Sequence, residues 1–126
     1  MNSYRTHTCS ELRAANIGKP TTLIGWVDSV RDHGGVIFID LRDHSGITQV
    51  VFHPEVNQDV AKASQQLRSE DMIQISGTVA ARLKTDTVDT TNADLPTGEI
   101  EVSADTLNVI NKADVLPFQL DRALSN

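Results

Sequence analysis

Hydrophobic and polar positions alternate with period two along most of this chain, and the pattern switches to helical spacing once. TTLIGWVDSV (21–30) reads as a strand rich in β-branched and aromatic residues. RDHGG (31–35) is a turn signal, because paired glycines accept backbone angles that other residues resist. VIFIDLRD (36–43) is a second strand ended by the turn HSG (44–46), and ITQVVFH (47–53) is a third, closed by Pro54. Between Glu55 and Ser69 the apolar residues Val56, Val60, Ala63 and Leu67 recur at the spacing of one helix face. MIQISGTVAARL (72–83) is a long fourth strand, and EIEVSADTLNVIN (99–111) supplies the fifth. The threonine-rich stretch 84–98 between them has almost no large apolar residues and reads as an exposed loop. Residues 1–20 form an N-terminal segment with a short helix, and the tail from 112 to 126 lacks a clear period.

Five strands with one helix between the third and fourth predict an all-β fold with one helix. That is the order of a five-stranded Greek-key OB-fold barrel, here over residues 21–111. A five-stranded SH3-like barrel is the alternative, and the helix position favours the OB-fold. Alternation assigns Ile37, Ile39 and Leu41 to the core and Phe38, Asp40 and Arg42 to the outer face. In the third strand Thr48, Val50 and Phe52 oppose Gln49, Val51 and His53, with Phe52 in the core. Ile73, Ile75, Val79, Ala81 and Leu83 face in, with Gln74, Thr78, Ala80 and Arg82 outside; Ile100 and Val102 face in, with Glu99 and Glu101 outside. Trp26 belongs to the core on this reading. Phe38, an aromatic among charged residues, is either an edge-of-core side chain or a stacking platform for a base. Gln49 beside it can both donate to and accept from a base edge, or is simply a solvated strand glutamine.

At 126 residues the chain suits one domain, and its 39% hydrophobic and 22% charged residues are ordinary for a globular one. No apolar run approaches a membrane span and no secretory signal opens the chain; Cys9 is the single cysteine. The expected location is therefore cytoplasmic, away from membranes. The formal charge is −6, unlike a typical free-standing nucleic-acid binder. Residues 1–53 are neutral, 54–83 carry −1 and 84–126 carry −5, so a polyanion contact belongs in the first two-thirds. His7 and Cys9 lack a second pair at zinc-ligand spacing, and no phosphate-loop, zinc-protease or serine-hydrolase string occurs. Nothing assembles an active site or a metal site.

Taken together, HTCSELR (7–13), LIGWV (23–27), RDHGGVIFIDLRDHSGITQVVF (31–52), TGEIEV (97–102) and NKADVLPF (111–118) resemble the N-terminal region of bacterial aspartyl-tRNA synthetases. The resemblance implies an anticodon-binding OB-fold domain followed by a hinge, beginning within 112–126, toward a class II catalytic domain absent from this sequence. It implies no cofactor for this chain, with ATP and magnesium belonging to the catalytic domain of the full-length family, where the enzyme is a homodimer. This chain alone is thus expected to carry no catalytic site for the ligase reaction. The implied partner is the anticodon loop of tRNA-Asp, not DNA.

By position, the resemblance implies that Phe38 stacks on the middle anticodon base, a uridine, and that Gln49 hydrogen-bonds its edge. Arg31 approaches the third base or its phosphate, and Arg82 and Glu101 lie near the first, a guanine or its queuosine form. Ser29 stands where the family often has arginine, as does Ala80, and Val51 replaces an aromatic found in some members. Losing two cations from this face lowers the expected affinity of the isolated domain. His33, following Asp32, resembles the branch that charges tRNA-Asn as well as tRNA-Asp. Two other functions remain open: a stand-alone binder of generic single-stranded nucleic acid, and a protein-interaction module favoured by Val51 and Ala80 on the outer face.

Overall fold

Alternating strands with one apolar face close on themselves when every edge finds a partner, and here all five do. The computed structural model describes residues 5–82, 91–92, 95 and 97–112. After a single 3-10 turn at Ala14–Asn16 come β1 (Pro20–His33), β2 (Val36–Asp43), β3 (Gly46–Phe52), α1 (Gln58–Ser64), β4 (Met72–Ala81) and β5 (Ile100–Asn111). The strands form a closed barrel in the order β1-β2-β3-β5-β4, antiparallel throughout except for the parallel β3–β5 pair. This is the expected five-stranded barrel with its helix between β3 and β4. No helix among the described residues is long and apolar enough to cross a membrane.

The interior is filled by Leu23, Val27, Ile37, Ile39, Leu41, Val50, Phe52, Ile73, Ile75, Val79, Ile100 and Val102, all buried. Each such large apolar side chain contributes about 1.5–3 kcal/mol by leaving water. Cys9 and Leu12, from the segment before β1, join this core. The Cys9 N–H donates to Asp43 Oδ2 at 2.9 Å, which ties that segment to the β2–β3 turn.

Several expectations need correction. β1 runs through Arg31, Asp32 and His33, so the first turn shrinks to Gly34-Gly35, with φ of 65° and 95°. Two consecutive left-handed residues match the twist of a tight hairpin, a conformation glycine adopts without steric cost. Trp26 is only half-buried and lies outside the core: Gly25 takes the adjacent interior slot, where even a Cβ would sit 2.3 Å from the Arg42 carbonyl oxygen. The helix is shorter than the Glu55–Ser69 window, because Asn57 caps it by accepting from the Val60 N–H at 3.1 Å. Its inward residues are Ala61, Ser64 and then Leu67 beyond its end, while Val56 and Ala63 are exposed. Ala81, the last residue of β4, is exposed although it still pairs with Ile100. Val51 is fully buried, since β3 is flanked on both sides and Val51 sits in a row between Phe38 and Ser103. Part of the 84–98 loop is buried too: Thr97 and Gly98 are covered, and Thr97 Oγ1 donates to the Ile47 carbonyl. Leu83, most of that loop and the expected hinge from residue 113 onward lie outside the described residues.

Candidate functional site

One irregularity in β1 determines what the outer face displays. Val27 pairs with Leu41, yet Ser29 pairs with Asp40, so Asp28 is an extra residue on β1. Leu23, Gly25 and Val27 point inward, and strict alternation would send Ser29 and Arg31 inward as well. The bulge reverses the parity, and Ser29 and Arg31 emerge opposite the outward residues Asp40 and Phe38. Asp28 itself is exposed, where it accepts from Arg42 Nε at 3.2 Å.

Register then lays two parallel rows across the sheet. The first is Ser29, Asp40, Gln49, Glu101 and Ala80; the second is Arg31, Phe38, Val51 and Ser103. Within the first row every side chain but that of Ala80 belongs to one connected network, joined by Arg31 and by Arg82 just beyond β4. Arg31 Nη1 and Nη2 donate to Asp40 Oδ2 and Oδ1 at 2.9 and 3.3 Å, a two-point fork. Ser29 Oγ donates to Asp40 Oδ2 at 2.7 Å and accepts from Arg31 Nη1 at 3.1 Å. Gln49 Oε1 accepts from both Arg31 Nη2 and Arg82 Nη1 at 3.2 Å, while its Nε2 donates to Glu101 Oε1 at 3.1 Å. Arg82 Nε also donates to the Ile100 carbonyl at 2.9 Å.

The network sets two arginines against two carboxylates. Burial pulls the Asp40 carboxyl up, but hydrogen bonds from Arg31 and Ser29 and the charges of Arg31 and Arg82 outweigh it and hold it below its ordinary range. Burial wins at Glu101, which is raised despite the Gln49 hydrogen bond and the charges of His53 and Arg82. Burial likewise lowers Arg82, against Asp40 and Glu101, with Arg31 adding to the lowering. The Arg31–Asp40 pair is partly open, with side chains 39% and 24% exposed, so its net contribution to stability is only about 0.2–1 kcal/mol.

Beside the network lies a cleft of about 360 Å³ lined by Arg31, Asp40, Ile47, Gln49 and Arg82, with Thr91, Asn92 and Leu95 of the β4–β5 loop on the far side. Phe38, half-buried, stands one row away, and the His33 ring meets it edge to face at 5.1 Å between centroids. The structure thus brings together all seven sequence-selected positions: Ser29, Arg31, Gln49, Arg82 and Glu101 in the network, Phe38 and His33 as a ring pair at its border. Gln49, Arg82 and Glu101 are more buried than a solvated face implies. Asp40 and the loop residues Thr91, Asn92 and Leu95 were not singled out from sequence. Strand parity offered a signal for Asp40; the loop's fold-back left none.

A half-open aromatic ring next to donors and acceptors in a polar cleft is an arrangement suited to a splayed base. The family model described as an OB-fold nucleic acid binding domain, of the tRNA anticodon type, matches residues 21–110. The chain belongs to that family. Among its relatives, an aspartate–tRNA(Asp/Asn) ligase of Methylacidiphilum infernorum is 48% identical over 126 residues, which are 100% of this chain and 20% of that protein. The chain therefore spans about a fifth of the length of such curated relatives. Among solved structures, asparaginyl-tRNA synthetase from Pyrococcus horikoshii, complexed with asparaginyl-adenylate, superposes with a TM-score of 0.70 at 27% identity. The match covers 89% of this chain and 24% of that one. The OBody AM2EP06, solved bound to hen egg-white lysozyme, shares the fold at a TM-score of 0.73 and 21% identity, over 90% of this chain and 99% of that one. Sequence and fold agree: this is an anticodon-binding type of OB domain that matches aspartate–tRNA ligases along its whole length.

Proposed function

We propose that this domain reads the anticodon loop of tRNA-Asp within an aspartate–tRNA ligase. The observation that carries the proposal is that Phe38 pairs across the sheet with Arg31, which lines the polar cleft together with Gln49, so that a base stacked on the ring has those two side chains beside its edge. In this reading Phe38 stacks the middle uridine, Gln49 and Arg31 address that base and its 3′ neighbour, and Arg82 with Glu101 addresses a guanine at the first position. A carboxylate accepts from guanine N–H groups, and that gain offsets its repulsion of phosphate. His33, resting on Phe38, accompanies acceptance of tRNA-Asn as well, as the names of relatives that act on both tRNAs suggest. ATP and magnesium would be handled by other parts of such a ligase, a cytoplasmic homodimer with residues 112–126 leading into its hinge.

Balanced charge on the face argues against generic single-strand binding, which relies on a positive groove. The burial of Val51 leaves the partly exposed Ala80 alone of the two apolar outer residues that favoured a protein-interaction module. Titration with an aspartate anticodon stem-loop tests the proposal. Phe38→Ala should weaken binding by about 1–3 kcal/mol, the usual worth of one stacked base. Equal affinity of variant and parent would refute the stacking role.

A further inference from the structure

The anticodon-reading proposal assigns roles to the residues that touch RNA, but it leaves Asp40 without one. Asp40 is poorly placed to read a base itself. Its carboxylate is already engaged: Oδ2 accepts from Ser29 and Arg31, and Oδ1 accepts from Arg31. Its geometry instead controls Arg31. The two terminal nitrogens of Arg31 reach four acceptor atoms, three of them in the Ser29–Asp40 pair and the fourth in Gln49. A guanidinium on a long stem is thereby fixed in plane and direction in the lining of the cleft. Its charge is also cancelled there by the carboxylate beside it.

Resting on the anticodon-binding reading, we propose that Asp40, held by Ser29, is a positioning residue for Arg31. It aims the guanidinium at a base edge while withholding its charge from bare phosphate, and so separates reading a sequence from binding any RNA. Ser29 serves as a clasp between Asp40 and Arg31. A hydroxyl that donates to one partner and accepts from the other fixes both.

The two halves of the role predict effects of opposite sign, which a purely structural residue would not give. Asp40→Asn keeps the shape and an acceptor for Ser29 but removes the charge. Binding should be compared for the aspartate anticodon stem-loop and for the same stem-loop with its three anticodon bases replaced by adenosine, whose phosphates are identical. The aspartate stem-loop should lose about three- to tenfold in affinity as Arg31 loses its aim. The adenosine loop should gain about two- to fivefold as an uncompensated cation appears, and the salt dependence should steepen by about 0.7 in the log–log slope. Ser29→Ala, which leaves all charges in place, is the second variant and guards against a misfolded Asp40→Asn. It should weaken the aspartate stem-loop about two- to threefold with the slope unchanged.

If both RNAs weaken together in Asp40→Asn with an unchanged slope, Asp40 is scaffolding only. If both strengthen together, it is merely a competitor for Arg31. A Ser29→Ala protein that binds like the parent removes the clasp. Each of these overturns the inference while leaving anticodon reading intact. A parent that does not prefer the aspartate stem-loop to the adenosine loop overturns the reading itself, and this inference with it.

Discussion

Glu101 and Asp40 occupy the same row of the sheet, yet burial and hydrogen bonding push their protonation in opposite directions. Asp40, and Asp43 at the β2–β3 turn, are lowered, so the stability they contribute is present above the ordinary aspartate value and lost as pH falls through their folded values. Glu101 is raised: the unfolded chain releases its proton first, so stability falls as pH rises from the ordinary glutamate value through the folded one. Urea unfolding between about pH 3 and about pH 7 should therefore show two limbs. Glu101→Gln should flatten the descending limb, and Asp40→Asn should flatten part of the ascending one. A Glu101→Gln curve parallel to the parent's would refute the burial argument. From sequence, period-two parity placed Phe38, Asp40 and Gln49 on one face. It was silent about partnership, because the Ser29–Asp40–Gln49–Glu101 row depends on register between strands distant along the chain. Burial of Val51 and Gln49 was illegible for the same reason: whether an outward residue is covered is decided by its neighbours in the row.

At the level of strands and turns, order and type were legible because each strand carries its own alternation and each turn its own glycine or proline. Boundaries were not, since Arg31, Asp32 and His33 look like turn residues until β2 is laid beside them. The bulge at Asp28 is the costliest omission: a single extra residue changes which face Ser29 and Arg31 occupy, and no local pattern marks it. Trp26 was misplaced for a related reason, because the narrow interior slot next to it admits only glycine. A methyl group at Gly25 must push against backbone, the Arg42 carbonyl, which has no side chain to swing aside. Gly25→Ala should cost about 1–3 kcal/mol, the usual range for overpacking. It should also separate β1 from β2 just below the bulge, so stem-loop binding should weaken along with stability. Chemical denaturation and the titration above measure the two effects, and an unchanged midpoint would show that the strands part freely.

Across the whole molecule the net charge of −6 sits mainly in the last third, while the reading face sets Arg31 and Arg82 against Asp40 and Glu101. Such a surface has no long-range pull on a polyanion, and stacking and edge contacts must supply most of the binding free energy. The consequence is measurable. Log–log salt slopes for single strands run at about 0.7 per neutralised phosphate, so two free arginines would set a ceiling of about 1.4, and with Arg31 neutralised by Asp40 the parent's slope should lie near about 0.7. Binding of the aspartate anticodon stem-loop between about 50 and about 200 mM salt should therefore weaken by less than about tenfold, against the thousandfold or more of a protein that grips six to ten phosphates. A slope well above the ceiling would mean that cations elsewhere, Lys62 or Arg68 around the helix for instance, track the RNA backbone. The footprint would then extend beyond the cleft. A slope at or below the ceiling ties affinity to the ring and the cleft, and a Phe38→Ala protein should then lose affinity by the same factor at both salt concentrations.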